Sequence, residues 1–468
     1  MTRGAAARTL IATAIVVSMV AVACGGGDSG KRVVLVDFSH DEFATFALAN
    51  FPNNIAVTQG QTVEFRQTWT GEPHTITGGA SITGILRPLK NWLTLFDTYG
   101  VLRAKNPGLP DPENAGNTTF AEFAAAVKVA QPRDVGERFV NAWRALRAAG
   151  VGLPDLDTPP ATPLTDVNKT IDEVSNTAFE GLGFAMDNDG NITQNLGQPC
   201  YLRTGTPPED PGKPCAKVDQ RQPAFDGTHA FYNSGILPYE GPRGNTYRVP
   251  IAADAKPGTY LFYCAIHGPS QMTTVEVRRR GAKVPSQHQV TREARNEIDD
   301  LMAPLEKVYR SAHDKGEIDF GGRKLKGPFA GLASDAAGHV AINEFLPKRL
   351  TVKAGEPVTW RMMGSDHTIT FDVPKYFPIV DFKSTGGIRM NPKLRAPAGG
   401  APPMPEQQGQ GPVKIDGGTY DGDGFWSTGV VGAQPFIEYT LRVSKPGTYD
   451  YACLIHPPMV GKLVVTAG

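Results

Sequence analysis

Two short segments of the chain carry the same three metal-binding residue types in the same order. A cysteine is followed three residues later by a histidine and shortly afterwards by a methionine, at Cys264, His267 and Met272 and again at Cys453, His456 and Met459. A thiolate and an imidazole supply two of the three strong ligands of a trigonal copper site, and a thioether can serve as a weak axial ligand. The pattern therefore predicts two copper sites, each of which needs one more strong ligand from elsewhere in the chain.

A histidine upstream of each cysteine is the candidate for that third strong ligand. His74 is followed by Thr-Ile-Thr, and His367 is followed by the same three residues, each histidine standing after a strand-like run. The predicted ligand sets are His74, Cys264, His267 and Met272 in the first half, and His367, Cys453, His456 and Met459 in the second half.

The chain also repeats itself outside these ligands. Residues 56–65 and 351–360 both alternate apolar and polar residues around a glycine, which predicts a hairpin leading to each upstream histidine. Residues 256–260 and 445–449 are both Lys-Pro-Gly-Thr-Tyr, so that a turn leads into the strand that ends at each cysteine. Internal repetition of this kind indicates two copies of one domain.

These residues and their spacing resemble those of the cupredoxins, the family of small β-sandwich blue-copper proteins that includes plastocyanin, azurin and amicyanin. Four residues separate histidine from methionine in the first half, as in plastocyanin, and two separate them in the second half, as in amicyanin. The resemblance implies a mainly β fold with two Greek-key sandwiches, and one type 1 copper ion bound by the four candidate ligands of each half.

One position departs from the family pattern. The residue after the first histidine ligand is usually an asparagine, which commonly ties the two ligand loops together, whereas this chain has Thr75 and Thr368 there. The departure means that the family pattern does not predict how these two loops are joined, nor the potential and rigidity that depend on it.

The distance along the chain between the ligands determines the expected domain organisation. Many more residues separate His74 from Cys264 than the few strands of a compact cupredoxin require, and the intervening apolar residues recur at helical spacing, with a capping box at Thr119 and Glu122. This helical insertion either covers a sheet or a copper loop, or docks an electron-transfer partner. The predicted segments are a signal peptide 1–23, a lipidated cysteine and tether 24–31, a first cupredoxin domain split between 32–82 and 230–280, the mainly helical insertion 83–229, a linker helix 281–316, and a second cupredoxin domain 317–468 with an irregular insertion 374–423.

The first residues predict export. Arg3 and Arg8 precede an apolar run that is too short to span a bilayer comfortably but suits a secretory signal. The run ends in Ala-Val-Ala before Cys24, which resembles a bacterial lipobox and implies lipid anchoring at the extracytoplasmic face of a bacterial membrane. The alternative is an ordinary signal cleaved nearby, which leaves a soluble protein. Outside the cell, Cys200 and Cys215 are expected to form a disulfide, because that compartment is oxidising.

The charge balance and the ligand set favour electron transfer. Lysine plus arginine equals aspartate plus glutamate, 47 each, so the net charge gives no reason to expect a nucleic-acid partner. Two imidazoles, a thiolate and a thioether leave little room for a substrate, and neither cysteine has the adjacent histidine that joins type 1 copper to a catalytic copper in related enzymes. We expect an electron carrier with redox partner proteins. The alternatives are copper binding and delivery, an enzyme resembling multicopper oxidases or nitrite reductases, and a protein with one inactive half.

Overall fold

The structure is a computed structural model that describes most of the chain after the first 29 residues. The predicted signal peptide, the lipidation site Cys24 and the predicted disulfide between Cys200 and Cys215 lie outside the described residues. In the part that is described, no helix combines the length and the apolar character needed to cross a bilayer. The described residues are 30–67, 74–110, 116–182, 184–186, 192–194, 222–237, 246–320, 322–334, 340–373, 380–382, 388–390, 413–431, 437–456 and 458–468.

The first half of the chain contributes twelve of the described strands. In chain order they are β1 (Lys31–Val36), β2 (Thr45–Ala47), β3 (Asn50–Phe51), β4 (Asn54–Thr58), β5 (Thr62–Gln67), β6 (His74–Gly78), β7 (Phe184–Met186), β8 (Ile192–Gln194), β9 (Tyr232–Leu237), β10 (Thr246–Pro250), β11 (Gly258–Cys264) and β12 (Gly268–Arg278).

Two sheets of the first half share one apolar core. One has the strand order β10-β5-β1-β3 and the other β4-β12-β11-β6-β9. Val34 on β1, Phe65 on β5 and Val275 on β12 all belong to the same buried cluster. The alternation of apolar and polar residues along these strands places one apolar face of each sheet against the other.

The residues between β6 and β9 include four helices. They are α1 (Ala80–Lys105), α2 (Phe120–Val129), α3 (Arg133–Ala148) and α4 (Leu164–Leu182). The predicted capping box is confirmed, since Thr119 caps α2 and its side chain and that of Glu122 bond to each other's backbone N–H. The four helices have their own buried core around Phe120 and Trp143. The N-terminal part of α1 instead packs Leu86 and other apolar residues against the sheet that contains β11 and β12.

Strands of the second half form a comparable pair of sheets. Their orders are β2-β16-β15-β18-β24-β22 and β17-β26-β25-β19-β23, and Trp360, Leu441 and Leu463 belong to their common core. The strands are β13 (Glu317–Phe320), β14 (Arg323–Lys326), β15 (Phe329–Ala333), β16 (Val340–Leu346), β17 (Arg349–Lys353), β18 (Pro357–Met362), β19 (Thr370–Phe371), β20 (Val380–Phe382), β21 (Ile388–Met390), β22 (Val413–Tyr420), β23 (Trp426–Ser427), β24 (Ile437–Val443), β25 (Gly447–Ala452) and β26 (Val460–Thr466).

Part of the segment 374–423, interpreted from the sequence as irregular, is strand. β22 pairs with β24 in the six-stranded sheet, and β20 and β21 join β7 and β8 in a separate four-stranded sheet. The sequence of β22, Val-Lys-Ile-Asp-Gly-Gly-Thr-Tyr, alternates apolar and polar residues only over its first four positions, after which two glycines follow. An alternation this short is a weak signal for a strand.

One helix and one strand connect the two halves. Helix α5 (Gln287–Lys315) buries the predicted apolar stripe that contains Ile298 and Tyr309. The same cluster takes in Phe43 and Phe51 from the start of the chain and residues of β15 and β16 from the second half. Strand β2 pairs with β16, so a segment of the first half forms the edge of a second-half sheet.

Candidate metal centres

The structure brings together three predicted ligands of the first half, which we call site 1. His74 is the first residue of β6, Cys264 is the last residue of β11, and His267 lies in the turn between β11 and β12. Their ligand atoms lie within 4.8 Å of one another. His74 and Cys264 are buried, whereas His267 is partly exposed. Residues distant in sequence thus form one compact donor set.

The corresponding three residues of the second half form site 2. The Nδ1 atoms of His367 and His456 are 3.2 Å apart, and the Sγ atom of Cys453 lies 3.6 Å from Nδ1 of His456. All three side chains are buried. Met459 is also fully buried and belongs to the same apolar cluster as Cys453, and its carbonyl oxygen accepts the backbone N–H of that cysteine at 2.9 Å.

Both cysteines are held in the form that a metal ion requires. Burial alone would raise the pKa of Cys264, but the neighbouring His267 and His74 outweigh burial and hold it well below the usual range of a thiol. The pKa of Cys453 is lowered in the same way by His456 and His367. Thiolates, not thiols, bind metals, so each site presents a soft anion between two nitrogen donors.

Threonines join the two ligand loops where the family pattern has an asparagine. The hydroxyl of Thr75 accepts the backbone N–H of Ala265 at 2.7 Å, and the backbone N–H of Thr75 donates to the site 1 sulfur at 3.3 Å. Thr368 does the same in site 2, accepting from Leu454 at 2.8 Å and donating to the sulfur at 3.3 Å. In both halves a threonine hydroxyl therefore joins the two ligand loops.

An aspartate that the sequence analysis did not select orients His74. Oδ2 of Asp37 lies 3.1 Å from Nε2 of His74, and both side chains are fully buried. The other carboxylate oxygen accepts the backbone N–H groups of Phe38 and Ala47, each at 2.6 Å. Burial disfavours the charged imidazole, but hydrogen bonds to Asp37 and Cys264 raise the pKa of His74 to about 9. The available signal was a single acidic residue directly after the apolar run of β1.

A main-chain carbonyl takes the place of this aspartate in site 2. Nε2 of His367 lies 3.0 Å from the carbonyl oxygen of Met363, which leaves Nδ1 directed at the other ligands. Gly331 lies against the same ring with a φ of +75°, and a Cβ atom there would be 2.1 Å from Nε2. Orientation of this kind fixes the tautomer of a metal-binding histidine, so the two sites achieve it with different groups.

The segment that carries Asp37 also reaches site 2. Asp37 accepts the N–H of Ala47, and the ring of the adjacent Phe46 stacks on that of His456 with centroids 6.0 Å apart and planes inclined by 3°. This packing covers His456, whose exposed fraction is 1%. Of the four imidazoles in the two sites, only that of His267 is partly exposed.

The structure does not place all eight predicted ligands alike. Met459 lies with its site, but Met272 packs against α1 beside Leu86 and Leu89. The neighbouring Gln271 instead points to site 1, with Oε1 3.1 Å from Nδ1 of His74. Gln271 could not be recognised from the sequence, because a spacing like that of plastocyanin points to the next residue, Met272.

Comparisons with known proteins give structural resemblances of limited extent. No protein-family model and no curated protein sequence matches the chain. A mutant of amicyanin in its reduced Cu(I) form at pH 4 is 20% identical, with 26% of this chain and 73% of amicyanin covered and a TM-score of 0.15. Oxidised plastocyanin from Dryopteris crassirhizoma is 24% identical, with 26% of this chain and 89% of plastocyanin covered and a TM-score of 0.14. Resemblances this weak say nothing about the chemistry of this chain.

Proposed function

We propose that the protein is an electron-transfer protein with two type 1 copper sites. The observation that carries the proposal is the pair of clusters in which two imidazoles and one thiolate converge within 4.8 Å. Two nitrogen donors and one thiolate are the strong ligands of blue-copper electron-transfer sites, which a weak axial ligand completes. We further propose that each pair of sheets is a Greek-key cupredoxin sandwich, with the halves bounded as the sequence predicts except that β2 joins a second-half sheet.

The chain's own residues would hold the metal in a fixed environment. Bound copper would supply the one-electron chemistry by alternating between Cu(II) and Cu(I). Asp37 and the carbonyl of Met363 hold the imidazoles in one orientation, and Thr75 and Thr368 keep the two ligand loops at one separation. A donor set that is held in place by the fold needs little rearrangement when the metal changes charge, which favours rapid electron exchange.

The difference in exposure between the sites points to where a redox partner docks. His267 is partly exposed, whereas His456 is covered by Phe46. We propose that the partner protein approaches the first half at His267 and that site 2 exchanges electrons through the interior of the protein. Copper delivery is the second candidate, but three of the four imidazoles are at most 1% exposed, and such burial opposes release of the metal to an acceptor.

Copper stoichiometry and the visible spectrum of the purified protein test this proposal. The wild-type protein should bind two copper ions and show an intense blue band that bleaches on reduction. Cys264→Ser and Cys453→Ser should each remove about half of the copper, and retention of all or none by either variant would contradict two independent sites. Rapid loss of Cu(I) to an apo-acceptor would favour delivery, and turnover of nitrite or a phenol would favour an enzyme.

We also propose that the protein is exported and anchored through lipid on Cys24 at the extracytoplasmic face of a bacterial membrane. The apolar run after Arg3 and Arg8 and the lipobox-like sequence before Cys24 support this location. Mass spectrometry of the mature N-terminus is the direct test. Cys24→Ser should move the protein from the membrane fraction to the soluble fraction, and an unchanged distribution would exclude the anchor.

A further inference from the structure

Gln271 is a buried amide directed at the ligand atoms of site 1. Its exposed fraction is 0%, and Oε1 lies 3.1 Å from Nδ1 of His74, the nitrogen opposite the one that contacts Asp37. Nε2 of Gln271 has no hydrogen-bond partner in the described part of the chain. Buried polar groups are nearly always paired because an unpaired one destabilises the fold. The position of this side chain is therefore explained better by a ligand role than by stability.

The strand register of the two halves identifies Gln271 as the counterpart of Met459. In each half, the strand that ends at the cysteine pairs with the strand that follows the ligand loop. The residue directly before the cysteine pairs with Met272 in the first half and with Val460 in the second half. Gln271 and Met459 each stand one residue before these paired positions. The second-half residue equivalent to Met272 is therefore Val460, which is 54% exposed.

The alternation of side chains along β12 leads to the same assignment. Val275 and Val277 belong to the core between the two first-half sheets. Successive residues of a strand point to opposite faces, so Gln271 shares the inner face with these valines. Met272 lies on the outer face, where Leu86 and Leu89 of α1 pack against it.

We propose that Gln271, through Oε1, is the axial ligand of site 1 and that Met272 has a packing role only. This assignment rests on the proposed function, since it presumes copper in site 1. An amide oxygen is a harder donor than a thioether and therefore favours Cu(II) over Cu(I) relative to methionine. Site 1 should have the lower reduction potential, so an electron shared by the two sites resides mainly on site 2.

Single-site proteins separate the two candidate ligands. In the Cys453→Ser background only site 1 remains, and there Gln271→Met should raise the reduction potential and change the visible and EPR spectra of the copper. Met272→Leu, which preserves the packing against α1, should leave the potential and both spectra unchanged. The opposite result, in which Met272→Leu changes them and Gln271→Met does not, would overturn the assignment.

A matched exchange in site 2 provides the control. In the Cys264→Ser background, Met459→Gln should lower the potential, opposite in sign to the effect of Gln271→Met. If Gln271→Met does not fold, Gln271→Glu conserves the shape and should lower the potential of site 1. A folded Cys453→Ser protein without copper would refute the copper proposal itself. Bound copper whose spectra ignore both substitutions at position 271 would refute the axial ligand alone.

Discussion

Replacing Asp37 by asparagine should weaken metal binding at site 1 while leaving the backbone intact. Asp37 has a φ of +68°, and asparagine adopts this left-handed conformation as readily as aspartate does. An asparagine oxygen can still accept the two backbone N–H groups of Phe38 and Ala47. What changes is the group that faces His74, where an amide NH₂ replaces a carboxylate oxygen.

The expected loss follows from the tautomer of His74. The carboxylate accepts a hydrogen from Nε2 and so leaves Nδ1 free for the metal, whereas an amide NH₂ can only donate to Nε2. The neutral ring would then carry its hydrogen on Nδ1, the atom needed for ligation. Loss of such an orienting partner typically costs about 10- to 100-fold in metal affinity, or ~1.4–2.7 kcal/mol.

Competition between a chelator and the protein for Cu(I) measures this loss. The comparison is made in the Cys453→Ser background, so that only site 1 binds copper. It is made above pH 9, because the pKa of metal-free His74 is about 9 and a proton competes with the metal at lower pH. The same Asp37→Asn change in the Cys264→Ser background is the control, because His367 is oriented by a carbonyl. If site 1 binds Cu(I) equally tightly with and without the Asp37→Asn change, the tautomer argument is refuted.

Three further substitutions test other contacts. Gly331→Ala should abolish copper binding at site 2 but not at site 1, because its Cβ atom would lie 2.1 Å from Nε2 of His367. Gly355→Ala is the control: Gly355 has a similar φ of +77° but open space around it, so this variant should retain both copper ions. Thr75→Val should lower the free energy of unfolding by about 1–3 kcal/mol, since it leaves the buried N–H of Ala265 unpaired. Thr75→Ser keeps a hydroxyl and is the control, and equal free energies of unfolding for the two variants in denaturant would contradict this. Burial would raise the pKa of Glu64, but hydrogen bonds from three basic side chains lower it to about 2. This carboxylate therefore stabilises the fold above pH 4.5, by less than the full shift implies because its basic partners are partly exposed, and that stability is lost as the pH falls towards 2. Urea unfolding of Glu64→Gln should therefore show a deficit at pH 7 that disappears near pH 2, and a deficit independent of pH would contradict the assignment.

The convergence of the six residues proposed as strong ligands could be predicted from the sequence because they stand at matching points of two repeated segments. Cys264 and Cys453 follow the same turn and strand, and His74 and His367 precede the same three residues. Since both copies follow the same pattern of alternating residues, the fold brings the same positions together twice. The helix α5 and the capping box of α2 were equally visible, because helical spacing and capping are local properties.

The remaining parts of the sites depend on information that spacing does not contain. Whether Gln271 or Met272 faces site 1 depends on the register of β12, because a shift of one residue moves each side chain to the opposite face of the strand. The length of the loop before the strand sets this register, and spacing alone does not reveal it. Asp37 reaches His74 only through the turn after β1, and Phe46 reaches His456 through pairing between two halves. These are long-range contacts without a sequence period.

The exchange of β2 between the halves has a consequence for how this protein can be divided. A fragment that began after residue 280 would contain every strong ligand of site 2, yet it would lose the strand that covers the edge of β16 and the aromatic ring that shields His456. Unpaired strand edges invite association with other chains. The second half should therefore be soluble and hold a metal tightly only when a segment that includes β2 and Phe46 is supplied with it, even as a separate peptide.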